Sequence, residues 1–232
     1  MKIAVLELTS HPLPLLEGMP RTSQQIQEWI APHLPEAEFV VVGVVDGEPL
    51  PDESDFDGAI VGGSEFGVYD DTDWMQPLRA FLDRCREIRK PVFGICFGHQ
   101  IMADVYGGRA EKVEVGNVVG ARPFNYGGDS VDAYVWHQDQ VTSIPDSARV
   151  TGSAGHCPVG ALDYDFPARS VQFHPEYKAH HLRDLFTRGR EVLLSATEAD
   201  DGMSSINAAK VPDDIAALQA VELFRGTYVP EQ

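Results

Sequence analysis

Cys96 lies in the stretch Pro91-Val92-Phe93-Gly94-Ile95-Cys96-Phe97-Gly98-His99-Gln100-Ile101. The short apolar run before it stops at the cysteine. A stripe of Phe97, Ile101, Met102 and Val105 begins at once, at the period of an amphipathic helix. The spacing predicts a buried strand, a sharp turn and a helix. Gly94 and Gly98 flank the cysteine two residues to either side, the Gly-x-nucleophile-x-Gly pattern of an elbow, with a thiol in place of the usual hydroxyl. Glycine is needed because a strand turning straight into a helix crowds its neighbours. The helix N-terminus aims free N–H groups and its positive dipole end at the sulfur, which favours the reactive thiolate. Lone cysteines are commonly core filler, and Cys85, in a helical segment, and Cys157, beside a strand, are expected to be that.

A thiolate nucleophile needs a base and a group to orient the base. His174-Pro175-Glu176 offers both. Pro175 disfavours the helical conformation for His174, and in an extended segment residues two apart point to the same side. His174 and Glu176 can therefore aim at one site. Alone, the tripeptide would read as a surface turn; its place after the apolar run 171–173 gives it the functional reading. Cys96 also ends a strand, so both would meet outside the carboxyl ends of a parallel sheet.

The elements that must position them alternate. Residues 2–8, 39–45, 58–61, 92–95 and 170–173 read as buried strands. Residues 22–32, with Thr22 or Ser23 as cap, 74–90 and 177–194 read as helices, with Ile26, Trp29 and Ile30 inward in the first. Loops are expected at 11–20 and 47–57. Short β-rich runs at 113–115, 118–124, 131–136, 148–153 and 159–162 predict a small antiparallel excursion. Residues 195–205 are polar and expected to be mobile. Residues 212–225 predict a last amphipathic helix with Ile215, Leu218, Val221 and Leu223 or Phe224 inward. The expected fold is an α/β open, mostly parallel sheet with helices on both faces.

The chain has 232 residues and 43% hydrophobic residues, enough for one large domain with a sizeable core. Eighteen Lys and Arg against 36 Asp and Glu leave a net charge of −18, which argues against nucleic acid or an anionic membrane as partner. No apolar run is long enough for a membrane span, and the first residues read as a strand rather than a signal peptide. Three cysteines, an odd number without metal spacing, suit a reducing cytoplasm.

Gly94-Ile95-Cys96-Phe97-Gly98-His99-Gln100 together with Gln172-Phe173-His174-Pro175-Glu176 resembles the class I, triad-type glutamine amidotransferases. The order Cys, His, Glu matches, and the resemblance covers most of residues 1–195. Within the family, Tyr69-Asp70-Asp71, Trp74 and Cys-Phe-Gly-His-Gln look most like the stand-alone γ-glutamyl peptidase-like members. The resemblance implies a flavodoxin-like catalytic domain over residues 1–195, with 196–232 as a helical extension packed on it. It implies the triad Cys96, His174 and Glu176. The oxyanion hole would use the N–H groups of Phe97 and of a glycine in Val61-Gly62-Gly63-Ser64; Gly63 is favoured because a Gly-Gly turn can aim an N–H outward unobstructed. Gln100 would line the glutamine pocket. Trp136-His137-Gln138-Asp139 is similar to the segment whose backbone holds the α-amino and α-carboxylate groups, so His137, Gln138 and Asp139 are expected at the substrate. His99 would be structural, under the elbow.

The implied activity is cleavage of the γ-glutamyl amide of glutamine or a γ-glutamyl compound through a Cys96 thioester. No metal or organic cofactor is implied. His180-His181 lacks a third ligand and reads as a solvated face. A different Cys-elbow hydrolase is disfavoured because there the acid precedes the histidine. With only 56 residues after Glu176 (232 − 176) and no Gly-x-x-x-x-Gly-Lys phosphate loop, ammonia would either go to a synthase partner or be released. A regulatory γ-glutamyl-binding module is the non-enzymatic alternative.

Overall fold

The structure, a computed structural model, describes residues 1–10, 14–52 and 54–228. Its strands in chain order are β1 (Lys2–Glu7), β2 (Glu38–Gly43), β3 (Gly58–Val61), β4 (Val92–Ile95), β5 (Arg109–Lys112), β6 (Val118–Tyr126), β7 (Asp129–His137), β8 (Asp139–Ser143), β9 (Ala148–Ala154), β10 (Cys157–Tyr164) and β11 (Ala168–Val171). The helices are α1 (Thr22–Ile30), α2 (Met75–Glu87), α3 (Phe97–Val105), α4 (Ala179–Gly189), α5 (Ala196–Ala208) and α6 (Ala217–Phe224).

Nine strands form one sheet in the order 2-1-3-4-11-10-9-6-7. The first five are mutually parallel. β1 shows why: Ile3 and Val5 enter one core while Ala4 and Leu6 enter the other, and a strand apolar on both faces belongs inside a covered parallel sheet. α1 and α6 cover one face through Ile26, Trp29, Val221 and Phe224. Trp29 Nε1 donates to the Ile215 carbonyl at 3.2 Å, tying α1 to the segment that leads into α6. α2 and α3 cover the other face through Leu78, Phe81, Ile101 and Met102.

The expected antiparallel excursion is present and has two parts. β10, β9, β6 and β7 continue the main sheet beyond β11. β5 and β8 make a separate two-stranded sheet. The strand expected at 113–115 is a turn, with Val115 exposed; the pairing falls instead on the charged Arg109–Lys112, whose partner β8 supplies its hydrogen bonds. Partner-driven strands of this kind carry little apolar signal.

Three further differences concern helices. No side chain within α1 caps it; the buried Glu7 carboxylate at the end of β1 accepts from the Ser23 N–H at 2.8 Å, which suits the positive end of the helix. Residues 195–205, expected to be mobile, form α5. Ser195 and Glu198 close a capping box, and the buried stripe is Ala199, Gly202 and Ile206, too small in side chain to stand out by hydrophobicity. The last helix begins only at Ala217, after a left-handed Ala216 at φ 61°. That start turns Leu218 outward, 60% exposed, and sends Ala220 inward instead. Of the loop expected at 11–20, residues 11–13 lie outside the described residues, and Pro14–Leu16 is one turn of 3-10 helix.

Candidate active site

The elbow comes from a local conflict of geometry. Cys96 joins β4 to α3 with φ 53° and ψ −102°, a conformation that costs a non-glycine residue about 1–3 kcal/mol. Its N–H is held by the Val171 carbonyl at 2.9 Å, so β11 fixes the turn. A Cβ on Gly94 would come within 2.7 Å of the Gly98 carbonyl, and a Cβ on Gly98 would collide with the Val61 carbonyl oxygen. The two glycines therefore allow the close approach of β3, β4 and α3.

His174 follows β11, where its backbone N–H donates to the Tyr134 carbonyl at 2.8 Å. Its Nδ1 bonds Glu176 Oε1 at 2.7 Å, with Glu176 fully buried. Nε2 is buried and without a hydrogen-bond partner among the described residues. Burial alone would lower the His174 pKa; the Glu176 carboxylate and the Cys96 sulfur outweigh it and raise the value to about 10. These neighbours favour the protonated imidazole. The Tyr177 ring lies flat on the imidazole, centroids 4.0 Å apart and planes within 2°.

The Gly62–Ser64 turn runs beside this pair. A Cβ on Gly63 would lie 3.0 Å from His174 Cε1 and 3.8 Å from Cys96 Cβ. The turn is pinned: the Gly62 carbonyl accepts from the Gly98 N–H at 3.2 Å, the Gly63 carbonyl from Thr9 Oγ1 at 3.2 Å, and Ser64 Oγ donates to the Leu8 carbonyl at 2.8 Å. The planar peptide between Gly62 and Gly63 is thus fixed, and with it the direction of the Gly63 N–H. Phe97 is the first residue of α3, so its N–H has no acceptor inside the helix; its side chain is core, edge-on to Trp74.

Cys96, His174, Gly63, Gln100, His137, Gln138 and Asp139 line one pocket of about 430 Å³. Glu176 stands behind His174, outside the lining. Gln100 Nε2 and His137 Nδ1 both donate to the Asp139 carbonyl, at 2.9 and 3.1 Å. Burial, with the neighbouring His156 and His174, lowers the His137 pKa to about 3. Its ring is therefore neutral, and Nε2 is a buried acceptor with no partner among the described residues. Burial pushes the Asp139 carboxyl up, and Tyr69 donates to its Oδ1 at 3.3 Å. His99 is buried beneath the elbow: Nε2 donates to the Val159 carbonyl at 3.1 Å and Nδ1 accepts from Ser170 Oγ at 2.8 Å. Burial lowers its pKa to about 4.

Three residues at the site had been given no role from sequence. Gln172 is fully buried and donates from Nε2 to Cys96 Sγ at 3.6 Å, while its Oε1 accepts from Gln100 Nε2 at 3.2 Å. Its position two before His174, on one extended segment, is the signal that could have found it. Tyr177, by its sequence the start of a helix, is the second. His181, read as part of a solvated face, instead lines the pocket, and its Nδ1 is buried. Among the described residues no group of three His, Cys, Asp or Glu is arranged to hold a metal ion, and no helix is long and apolar enough to cross a membrane.

The family model of glutamine amidotransferase class-I matches residues 23–188. Gamma-glutamyl peptidase 3 of Arabidopsis thaliana is 31% identical over 190 residues, covering 74% of this chain and 76% of that protein. A glutamine-hydrolyzing GMP synthase of Azoarcus is 32% identical over 192 residues, 75% of this chain but 34% of the synthase. The fold is that of a glutamine amidotransferase from Thermotoga maritima, with a TM-score of 0.76 at 15% identity over 97% of this chain and 96% of that one. The match of the family model across most of the chain, with gamma-glutamyl peptidases among its relatives, makes this protein a member of the class-I glutamine amidotransferases.

Proposed function

We propose that the protein hydrolyses γ-glutamyl amides through a thioester on Cys96. The Cys96 thiolate attacks the γ-carbonyl, and the oxyanion is held by the Phe97 and Gly63 N–H groups. A well-placed donor of this kind lowers the barrier by about 3–4 kcal/mol. The His174 imidazolium gives its proton to the nitrogen as the C–N bond breaks, and the amine leaves. The neutral imidazole then takes a proton from water, whose oxygen attacks the thioester. Glutamate and the thiolate result, and the proton is back on His174. Glu176 keeps the ring in one orientation and supports its charge. Gln100, His137, Gln138 and Asp139 would hold the α-carbon end of the substrate. Residues 196–232 form part of the same catalytic unit in this reading, because α6 packs into one core of the sheet and α5 packs against β6 and α4.

The observation that carries the reading is the His174–Glu176 bond of 2.7 Å beside Cys96 at the strained elbow. The likeness to gamma-glutamyl peptidase 3 supports a γ-glutamyl hydrolase. The likeness to a GMP synthase supports a second reading, an ammonia-donating subunit of a synthase. The test is the purified chain with glutamine and with γ-glutamyl amides of larger amines. Turnover of the larger amides by the chain alone supports the hydrolase. Negligible turnover of all of them, restored by a co-purifying synthase, would overturn it.

A further inference from the structure

The pocket is larger than glutamine needs. At ~30 Å³ per water, about 430 Å³ would hold about fourteen waters, and bonded atoms pack closer than waters do. Its walls are of two kinds, divided at β7. Trp136 and His137 are consecutive, so their side chains leave the strand on opposite faces. His137 joins Gln100 at the Asp139 carbonyl. The Trp136 ring turns to α4 and packs edge-on against Phe186, centroids 5.3 Å apart. The Trp136 carbonyl is 3.8 Å from Cys96 Sγ, so the division runs past the nucleophile itself.

The second wall is mostly apolar and open. Leu16, Met19, Trp136, Leu185 and Leu193 line it, and His181, one turn before Leu185 on α4, is its polar member. The first four are half-buried and Leu193 is 43% exposed, so their apolar surface is left for an occupant. The wall is held as one piece, because Arg188 Nη1 on α4 donates to the carbonyls of Leu15 and Glu17 at 3.3 and 2.7 Å. Among the described residues neither Lys nor Arg lines the pocket; the charged residues that do are Glu65, Asp139 and the His174 imidazolium, whose charge Glu176 already meets. Glu65 is engaged by the Ser10 N–H and hydroxyl, and Asp139 lies on the polar side.

We infer that the preferred substrates are γ-glutamyl amides of uncharged apolar amines, alkyl or aryl, rather than γ-glutamyl amino acids or peptides. This rests on the γ-glutamyl hydrolase reading above. With the γ-glutamyl group on the polar side and its carbonyl at Cys96, the amine is left against the Trp136–Leu185 wall. An amino acid in that place would bring its α-carboxylate, adjacent to the amide nitrogen, against apolar carbon and near two acids, with no Lys or Arg to pair it and the one imidazolium, His174, already engaged by Glu176. An unpaired charge in such a place is costly, whereas each methylene placed there is favourable.

The test uses the purified chain with four compounds: glutamine, γ-glutamyl-n-butylamide, γ-glutamylnorvaline, which adds only a carboxylate to the butylamide, and γ-glutamylputrescine, which adds only a terminal ammonium. The expected kcat/KM for the butylamide exceeds that for each charged analogue by at least about tenfold. Leu185→Arg should shift the norvaline-to-butylamide ratio at least about tenfold towards norvaline, with the circular dichroism of the wild type. Equal or better turnover of the norvaline or putrescine compound, or an unmoved ratio in folded Leu185→Arg, overturns the inference while Cys96-dependent hydrolysis of glutamine leaves the hydrolase reading standing. No turnover of any of the four overturns that reading, and the inference with it.

Discussion

Gln172 reaches Cys96 from the segment that also carries His174: its Nε2 lies 3.6 Å from Cys96 Sγ. A donor to a thiolate is a charge-assisted hydrogen bond, with a net effect of about 1.5–3 kcal/mol. Gln172→Leu, which keeps the apolar bulk but removes the amide, should lower kcat/KM by roughly ten- to a hundredfold. It should also slow the alkylation of Cys96 by iodoacetamide at neutral pH. An unchanged alkylation rate would mean that Gln172 only holds Gln100 in place.

Cys96→Ala should abolish turnover, while Cys85→Ala and Cys157→Ala should keep most of it. Both of the latter cysteines are buried, so their replacement should cost stability, on the order of 1 kcal/mol each, rather than rate. Steady-state kinetics on the three variants check this; activity in Cys96→Ala comparable to wild type would dismantle the mechanism.

Glu176→Gln should lose less activity than His174→Ala, because an imidazole alone still serves as base. The double variant should be no worse than His174→Ala, since members of a triad act as a unit. Stability gives an independent readout. The His174 pKa is raised to about 10 in the folded protein against ~6.5 in an unfolded chain. Its contribution is therefore complete below about pH 6.5 and is lost as the pH rises through about 10. Melting temperatures measured from neutral pH to beyond 10 should fall more steeply for wild type than for Glu176→Gln, which lacks the carboxylate that helps to raise the imidazole. Parallel curves would show that Glu176 does not hold that proton.

The glycines should separate stability from rate. Gly98→Ala drives a Cβ into the Val61 carbonyl, which β3 cannot yield without breaking its pairing; a loss of about 1–3 kcal/mol is expected, seen as a lower urea midpoint. Gly63→Ala meets the His174 ring edge at 3.0 Å and should leave the midpoint nearly unchanged while lowering kcat at least about tenfold. The reverse pattern would remove Gly63 from the chemistry.

Ser195→Ala removes half of the α5 capping box. It should cost about 1 kcal/mol without changing KM, as read by urea melts and kinetics. A variant as stable as wild type would mean that α5 is held by its packing on β6 alone.

What was legible in the chain was whatever its own local pattern encodes. The elbow announces itself because two glycines and a change of apolar period meet at Cys96. β1, β3 and β4 do so because strands buried on both faces are continuous apolar runs. β5 and β8 were illegible because their hydrogen bonds come from each other, not from apolar burial. α5 was illegible because its stripe of Ala199, Gly202 and Ile206 is mostly small residues. At the site, the motif residues could be named in advance. Gln172, Tyr177 and the Trp136–Leu185 wall could not, since their meaning lies in which strand ends the sheet order brings side by side.

That order also limits how the protein can change. β3, β4 and β11 are adjacent and end together, and just past their ends stand Gly63, Cys96 and His174. Neighbouring strands act as a ruler with a step of ~3.3 Å. An insertion or deletion of one residue in any of the three would displace one reacting group by that step relative to the others. Such indels should be lethal to activity in a deletion scan, whereas α4 and the 14–20 segment, which bear on no such ruler, can vary freely. New amine preferences should therefore arise from changes in those two segments, with the catalytic strands inherited unaltered.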